Sequence, residues 1–244
     1  FDTAFHTTIP SHAATYGIPI SLSKKYKIKR YGFHGISYQY ICEELRRGLR
    51  KLPSRLIVCH LGNGASICAI KNGKSIDTSM GFTPMEGLLM GTRSGDIDVG
   101  AVFHIAAMRN ECRDMDHMLN FESGLKGIAG TNDMREIWKK TQKKDTFAVL
   151  ALDMYCYRIQ KYIGAYAASL AGLDALVFTA GVGEHAWYVR EKVCSSLSHL
   201  GIILDPHKNK INKKLISKGK VNVYVLPTDE EKMIAREVGR LLSR

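Results

Sequence analysis

The sequence predicts an α/β fold in which strands and helices pack in layers. Residues 55–79 contain three short runs of β-forming residues, separated by Asn63-Gly64 and Asn72-Gly73, dipeptides that favour type I′ hairpin turns. Residues 145–170 form a long and mostly apolar helix, which is typical of a helix inside a layered fold. Residues 174–180 form a buried strand that runs directly into a Gly-x-Gly turn.

The other elements follow from capping residues and apolar periodicity. Ser37 is placed to cap a helix over residues 38–49, and Asn132 or Asp133 is placed to cap another. Further helices are predicted over residues 99–109, 114–121 and 187–200. A last strand is predicted over residues 221–226, and a closing helix is predicted to begin after Thr228 or Asp229 and to end near residue 242.

Length and composition are those of a globular protein with a sizeable core. The chain has 244 residues, 45% of them hydrophobic, enough for one large domain or one domain and part of another. No apolar run approaches the roughly 20 residues needed to span a membrane, and no signal peptide is visible. We therefore expect a cytoplasmic protein. Because the first residue is Phe1 and not Met, we expect a processed N-terminus or a start within a longer chain.

Cysteine usage and charge narrow the function classes. The six cysteines form no C-x-x-C pair, which indicates reduced thiols and argues against disulfides and zinc. The net charge of +12 leaves nucleic-acid binding open. The basic residues, however, cluster in polar turns with few aromatic residues between them, which favours solvated faces on an enzyme that handles anions. We expect neither a nucleic acid nor a membrane as partner.

Two glycine-rich turns are candidate anion sites. In the first, Gly62 and Gly64 flank Asn63 after a strand, and such glycines let backbone N–H groups approach a phosphate closely. No helix follows immediately, so a plain hairpin is the alternative. In the second, residues 181–185 connect a strand to a helix, and this places N–H groups and a helix N-terminus towards a nucleotide.

Two side chains stand in glycine-rich surroundings that suggest ligand contacts. His34 lies between Gly32 and Gly35, a setting with little room for a packed core residue, although a structural role is equally open. Arg93 lies in the glycine-rich residues 80–98, and a guanidinium presented from such a loop suits a phosphoryl or carboxylate ligand. The alternative for Arg93 is a surface salt bridge.

Motifs along almost the whole chain resemble those of the acetokinase family, which comprises acetate and propionate kinases. The stretch at residues 77–98 is the longest and most distinctive of them. The matching segments, in the order of the family, are FDTAFH at 1–6, YGFHG at 31–35, HLGNG at 60–64, DTSMGFTPMEGLLMGTRSGDID at 77–98, NDMR at 132–135, TAGVGE at 179–184 and PTDEE at 227–231.

The resemblance implies a ribonuclease H-like fold of the actin/Hsp70 ATPase type, with a mixed sheet flanked by helices. Members of the family have two such domains, with the ligands in the cleft between them. Residues 1–52 are then expected to be the C-terminal part of the first domain, whose earlier part is missing. Residues 53–226 are expected to form the second, nucleotide-binding domain, and residues 227–244 a closing helix that returns to the first.

The resemblance also implies an activity: reversible, in-line phosphoryl transfer from ATP to acetate with Mg²⁺ (or Mn²⁺), giving ADP and acetyl phosphate. A carboxylate is already ionised at pH 7, so catalysis consists mainly of positioning and charge neutralisation. By resemblance, His34 and Arg93 stabilise the transferred phosphoryl group. Asp2 would hold a magnesium-bound water or orient Arg93, and Glu230 would hold the metal.

Nucleotide-binding residues are carried over from the family in the same way. The ATP phosphates are expected on one segment and the adenosine between two others. The residues are His60, Leu61, Gly62, Asn63 and Gly64 for the phosphates, and Asp133, Met134, Arg135, Gly181, Val182, Gly183, Glu184 and His185 for the adenosine.

Three positions depart from the family pattern. His185 and Asp229 stand where Asn is usual, and Ile36-Ser37-Tyr38 replaces Thr-Ser-His. Propionate is an alternative substrate, and a truncated nucleotide-binding remnant without turnover is an alternative function. In the family, the missing part supplies a further magnesium or phosphate residue and an arginine for the substrate carboxylate. The 244 residues alone are therefore expected to show little activity, and a homodimer is expected through the second domain.

Overall fold

A five-stranded mixed sheet forms the centre of the protein. In the computed structural model, which describes residues 2–49, 51–109 and 114–242, the strands are ordered β3-β2-β1-β4-β5. Strands β1, β2 and β3 are antiparallel neighbours, whereas β4 runs parallel to β1 and β5 parallel to β4. The strands are β1 (Arg55–Leu61), β2 (Ala65–Lys71), β3 (Lys74–Thr78), β4 (Ala175–Thr179) and β5 (Asn222–Val225).

Helices cover the sheet and fill the connections between its strands. Two 3₁₀ segments (Ala4–Thr8 and Ser198–Leu200) and one π-helical segment (Met118–Glu122) accompany the α-helices. The α-helices of the described chain are α1 (Ser11–Ala14), α2 (Ile20–Tyr26), α3 (Gly35–Leu49), α4 (Val99–Arg109), α5 (Asp114–His117), α6 (Gly124–Ala129), α7 (Met134–Gln142), α8 (Thr146–Ser169), α9 (Ala180–His185), α10 (Trp187–Cys194), α11 (Pro206–Lys210) and α12 (Glu230–Leu242).

The sheet is buried on both faces because its central strands are apolar at almost every position. Along β1, Ile57 and Cys59 point into the core on the side of α8, while Leu56 and Val58 point into the core on the side of α3 and α12. Successive side chains of a strand face opposite sides, so a strand that is apolar throughout must be covered twice. The long helix α8 provides the first cover, as its composition predicts.

The two turns of the β1–β3 unit differ in kind. Asn72 and Gly73 have φ angles of 51° and 81°, which confirms the predicted type I′ turn. The same prediction for Asn63-Gly64 is wrong, because neither residue has a positive φ. Leu61 pairs with Ala65, which leaves a loop of three residues, and the Gly62 N–H donates to the Gly64 carbonyl at 3.0 Å.

The predicted caps Asp133 and Asp229 are confirmed, the predicted cap Ser37 is wrong, and Asp145 caps α8 without having been predicted to do so. The carboxylates of Asp133, Asp145 and Asp229 each accept a backbone N–H at the start of their helix, at 2.8–2.9 Å. Ser37 does not cap α3, because that helix already begins at Gly35 and the Ser37 hydroxyl bonds elsewhere.

Three local predictions also need correction. Residues 181–185 form the short helix α9 and not a turn, because β4 passes directly into helical backbone at Ala180. The predicted helix over 114–121 changes from α to π geometry at Met118. Helix α10 ends at Cys194, six residues before the predicted end.

The described cysteines are buried free thiols, as predicted: Cys42, Cys59, Cys68, Cys156 and Cys194. Cys112 lies outside the described residues. No helix in the described ranges combines the length and apolarity needed to cross a membrane.

Two substitutions on α8 test the packing of this helix. Ile159 is fully buried, so Ile159→Ala should lower the free energy of unfolding by about 2–5 kcal/mol through lost burial and a cavity. Leu150 is 47% exposed on the same helix, and Leu150→Ala should cost less than about 1 kcal/mol. Urea unfolding of both variants measures the difference, and equal losses would contradict the packing described.

Candidate active site

His34 is fixed in an unusual backbone conformation at one end of the sheet. Its φ is 57°, which is uncommon for a residue other than glycine and costs energy that the surroundings must supply. The Asp2 carboxylate accepts the His34 N–H at 2.7 Å, and the Gly35 N–H donates to the Asp2 carbonyl at 2.8 Å. A side chain at residue 35 would collide with that carbonyl. The start of the chain therefore holds the His34 backbone in place.

A second histidine stacks on the first. The rings of His34 and His60 lie 4.1 Å apart and nearly parallel. His60 Nδ1 lies 2.9 Å from the Ser37 hydroxyl, which in turn lies 2.8 Å from the Thr228 hydroxyl. His60 stands near the carboxyl end of β1 and Thr228 shortly before α12, so the stack joins distant parts of the chain.

Both imidazoles are neutral at pH 7. Burial lowers the pKa of His34 to about 4, against an opposing effect of Asp2, and burial lowers the pKa of His60 to about 3. The Tyr38 hydroxyl and His34 Nδ1 both bond to the Ser66 hydroxyl. Burial raises the pKa of Tyr38 well above its usual value, so Tyr38 keeps its proton. We assign the hydrogen bonds so that the Tyr38 hydroxyl donates to Ser66 and the Ser66 hydroxyl donates to His34 Nδ1. In this tautomer His34 carries its proton on Nε2, and this N–H is free to donate to a ligand.

Arg93 lies opposite His34 across Gly64. A side-chain carbon at Gly64 would lie 3.5 Å from His34 Nε2 and 3.6 Å from Arg93 Nη1. Within the described ranges Arg93 forms no ion pair, and its side-chain contact is with the Met90 sulfur at 4.0 Å. The alternative of a surface salt bridge therefore finds no partner there. A cation without a counter-ion beside a neutral N–H donor is an arrangement suited to an anion.

The loop that carries Arg93 is anchored on both sides. Glu86 accepts from Tyr16 and Arg30, each at 2.5 Å. Asp96 accepts the Gly87 N–H at 2.8 Å and the Tyr162 hydroxyl at 2.8 Å. These carboxylates replace the regular hydrogen bonds that a glycine-rich segment lacks. They fix the path of the backbone on either side of Arg93.

A cavity of about 430 Å³ opens beside the Arg93 cation and the neutral His34 donor. It lies where β1 and β4 end, since parallel strands present their carboxyl ends at the same edge of a sheet. Its lining consists of Gly62, Asn63, Gly91, Leu125, Asn132, Asp133, Met134, Arg135, Tyr155, Gly181, Val182, His185, Ala186 and Tyr188.

The polar groups at the rim of the cavity are largely paired. Asp133 and Arg135 form an ion pair at 2.6 Å, and the hydrogen bond from Arg135 lowers the pKa of Asp133 to about 2. Asn132 donates to the Asn63 side chain at 3.1 Å, which joins the turn after β1 to the start of α7. Gly91 has no room for a side chain, because a Cβ would lie 2.0 Å from the Asn63 amide oxygen.

Not every predicted residue faces the cavity. The Leu61 side chain is fully buried in the core, so only its backbone is near the site. Gly183 and Glu184 present their carbonyls to the Arg190 guanidinium, at 2.8 and 2.9 Å. Arg190 is itself fully buried, and the burial lowers its pKa to about 10. Arg190 also donates to the Asn209 side-chain oxygen and to the Asn209 carbonyl, each at 2.8 Å, and so links α9 to α11. Gly183 and Glu184 therefore support the cavity wall without facing the cavity.

Asp2 and Glu230 form a carboxylate pair next to His34. Burial and, to a smaller extent, the charge of Asp2 raise the pKa of Glu230. One Asp2 oxygen, Oδ1, is buried and has no hydrogen-bond partner among the residues that the structure describes. Two carboxylates that repel each other, one with an unused oxygen, fit a hard divalent cation that takes its other ligands from water and phosphate. The neighbouring Asp229 is exposed, and one of its carboxylate oxygens accepts the Lys232 N–H as the cap of α12.

Several residues of the site carry no signal in the sequence. Ser66 orients His34, and nothing in the sequence marks this serine. Tyr38, Ser37 and Thr228 stood in family motifs or at candidate caps, but their hydrogen bonds around the two histidines were not predicted. Tyr155 lies in a helix whose tyrosines are core residues by default. Gly91 and Asn132 did stand in glycine-rich or capping contexts, which is the signal that could have marked them.

The chain was then compared with known proteins. A model of the acetokinase family matches residues 1–236. The chain belongs to this family. An acetate kinase of Caldicellulosiruptor saccharolyticus is 48% identical over 100% of this chain and 64% of its own length. An acetate kinase of Carboxydothermus hydrogenoformans is 51% identical over 99% of this chain and 63% of its own length. The chain thus spans less than two thirds of these relatives, and the predicted resemblance is confirmed.

Solved structures of acetokinases have the same fold. A crystal structure of Porphyromonas gingivalis acetate kinase superposes with a TM-score of 0.95 at 44% identity, over 99% of this chain and 63% of that one. A propionate kinase from Francisella tularensis superposes with a TM-score of 0.94 at 46% identity, over 97% of this chain and 62% of that one. The predicted fold class, with a mixed sheet flanked by helices, is confirmed.

Acid should destabilise the protein through its buried histidines. Because the folded-state pKa values of His34 and His60 are about 4 and about 3, the unfolded chain binds protons below pH 6.5 that the folded chain does not. The contribution of these histidines to the free energy of unfolding is therefore complete above pH 6.5. It should decrease towards pH 4 by up to ~1.4 kcal/mol per pH unit for each histidine. Urea unfolding across this range measures the slope.

The variant His60→Asn should unfold with a shallower dependence on pH, because one of the titrating groups is gone. His104→Asn, on the exposed surface of α4, serves as the matched control and should keep the wild-type slope. A wild-type free energy of unfolding that is constant between pH 6.5 and 4.5 would refute this account of the stack.

Proposed function

We propose that the protein to which this chain belongs is an acetate kinase that catalyses Mg²⁺-dependent, reversible phosphoryl transfer between ATP and acetate. The observation that carries the proposal is the gap between His34 Nε2 and Arg93 Nη1 above Gly64, next to the cavity. A carboxylate oxygen of acetate attacks the γ-phosphorus, and the bond from that phosphorus to the bridging oxygen of ADP breaks. The products are acetyl phosphate and ADP, and no proton has to move.

His34 and Arg93 act on the charge of the transferred group. The guanidinium is permanently charged and offers forked donors to phosphoryl oxygens. The neutral His34 offers Nε2–H, and its rotation is restricted by Ser66 and by the stack on His60. Positioned donors of this kind stabilise developing charge without reorganising during the reaction.

The nucleotide is proposed to lie along the cavity. Its phosphates lie on the turn of Gly62, Asn63 and Gly64, which reaches from the cavity to the His34–Arg93 gap. Its adenosine lies between α7, which starts beside Asp133, and α9, which contributes Gly181 and Val182. Of the predicted adenosine residues, Gly183 and Glu184 are assigned a supporting role behind this surface.

Asp2 and Glu230 are proposed to hold the divalent cation. When bound, the metal neutralises phosphate charge and helps to orient the phosphates. Asp2 also holds the backbone of His34, and this bond takes the place of the predicted contact with Arg93. Within the described ranges no group of three His, Cys, Asp or Glu residues that could hold a metal is present, so further ligands are proposed to come from water, from the substrate phosphates and from residues outside these ranges.

Propionate is the second candidate substrate. The solved propionate kinase from Francisella tularensis is as similar to this chain as the acetate kinases are. The discriminating experiment is a comparison of kcat/KM for acetate and propionate in the complete protein. Higher kcat/KM for propionate would reverse the assignment, and ATP binding without turnover of either acid would favour the nucleotide-binding remnant.

We further propose the domain division 1–52, 53–226 and 227–244, action in the cytoplasm where ATP is available, and a homodimer. Helix α4 exposes Phe103 and Met108 by 71% and 77%, and exposed apolar side chains of this size often mark protein contacts.

Replacing an apolar residue on α4 tests the homodimer. Phe103→Glu places a charge on the exposed apolar surface and should convert a dimer into a monomer. Light scattering at micromolar concentration gives the mass, and a monomeric wild type would exclude the dimer. His104→Asn, at the neighbouring exposed position, should leave the mass unchanged.

Arg93→Ala should mainly affect the chemical step. In the complete protein we expect kcat to fall by about 10²–10³-fold, because a charge that acts on the transition state is lost. The KM for ATP should change far less. Arg135→Ala is the matched control, since Arg135 lines the rim of the cavity and should alter the KM for ATP more than kcat. An unchanged kcat in Arg93→Ala would remove Arg93 from the mechanism.

A further inference from the structure

The floor of the cavity contains a buried polar group that none of the interactions described above uses. Tyr155 belongs to α8, is 1% exposed and lines the cavity. Its hydroxyl is buried and has no hydrogen-bond partner in the described chain. A buried hydroxyl without a partner destabilises the folded protein, so its presence calls for an explanation.

The neighbouring polar side chains do not share this property. The Tyr188 hydroxyl, also on the cavity wall, donates to the Met134 carbonyl at 3.1 Å. At the rim, Asp133 pairs with Arg135, and Asn132 bonds to Asn63. The pairing of these groups leaves Tyr155 as a buried donor whose partner has to come from outside the described chain.

The surroundings of Tyr155 indicate the kind of ligand. Leu125, Met134, Val182 and the ring of Tyr188 provide apolar and aromatic walls. Such walls suit a flat heteroaromatic ring, and a few placed polar groups then fix its orientation. Burial raises the pKa of Tyr155 far above neutral, so the hydroxyl remains protonated and can donate.

We propose that the Tyr155 hydroxyl donates a hydrogen bond to a ring nitrogen of the adenine base and thereby acts as a specificity-determining residue of the nucleotide site. The proposal rests on the proposed function, because it requires that the cavity binds the base of ATP or ADP. It places recognition of the base on α8, in addition to the two segments that the family motifs mark. A site with a buried donor also disfavours bases that cannot accept this bond.

The test compares Tyr155→Phe with the wild type in the complete protein. The substitution removes one oxygen and keeps the ring that fills the cavity floor. Isothermal titration calorimetry with ADP should show a dissociation constant that is about 3- to 10-fold higher in the variant, the range of one ordinary hydrogen bond. With tripolyphosphate, which has no base, the dissociation constant should be unchanged.

The stability of the free protein separates recognition from a structural role. Because the hydroxyl has no partner in the described part of the chain, Tyr155→Phe should not lower the melting temperature and is expected to raise it slightly. Tyr157→Phe is the matched control: it lies on the same helix, is 59% exposed, and should change neither ADP affinity nor melting temperature.

Three results would overturn the inference. ADP affinity equal to that of the wild type would show that the hydroxyl does not touch the base. A parallel loss of tripolyphosphate affinity would indicate a general distortion of the site, and a marked fall in melting temperature would indicate a partner within the protein. If the wild type binds neither ADP nor tripolyphosphate, the proposed function itself fails, and this outcome is distinguishable from the other three.

A panel of ADP analogues identifies the accepting atom. Analogues in which one ring nitrogen is replaced by C–H should be tested with both proteins. The wild type should bind one of these analogues more weakly than it binds ADP. Tyr155→Phe should bind the same analogue as tightly as it binds ADP, because this variant already lacks the hydrogen bond that the analogue cannot accept. If no analogue behaves in this way, the hydroxyl does not bond to a ring nitrogen and the proposal is wrong.

Discussion

The site depends on keeping two stacked imidazoles neutral and immobile. His34 and His60 contact each other at 4.1 Å, and two positive charges at this separation inside the protein would repel strongly. Burial removes that risk by lowering both pKa values far below neutral. Neutrality also defines the chemistry, since a neutral imidazole with one fixed tautomer is a directional donor. In the proposed phosphoryl transfer, the permanent charge is assigned to Arg93.

The fold supplies this constraint from segments that are far apart in the sequence. Ser66 comes from β2, Ser37 from α3, and Thr228 from the residues before α12. Residues Ile36-Ser37-Tyr38, which differ from the usual family sequence Thr-Ser-His, contribute to these contacts. Tyr38 reaches Ser66 from α3, so the tyrosine at this position helps to orient His34.

The predictable parts of the structure were those with strong local causes. Continuous runs of β-forming residues, an Asn-Gly dipeptide with positive φ angles, and carboxylates that cap helices act within a few residues of each other. The turn at Gly62 was predicted with the wrong geometry because its shape is set by strand register and by the Gly91 N–H, which donates to Asn63 at 3.0 Å. Likewise, nothing near Tyr155 in the sequence distinguishes it from an ordinary core tyrosine. Its position depends on how α8 crosses the sheet.

The carboxylate pair has a consequence for biosynthesis. Asp2 and Glu230 are far apart in the sequence, and the whole sheet is encoded between them. A ribosome that adds about 5–20 residues per second needs roughly 10–50 s to pass from one to the other. Throughout that time the nascent polypeptide holds only one of the two carboxylates proposed to bind the cation. On the proposed assignment, affinity for the ion therefore arises only after Glu230 has been added, when the strands β1 and β2 near His34 have already been synthesised.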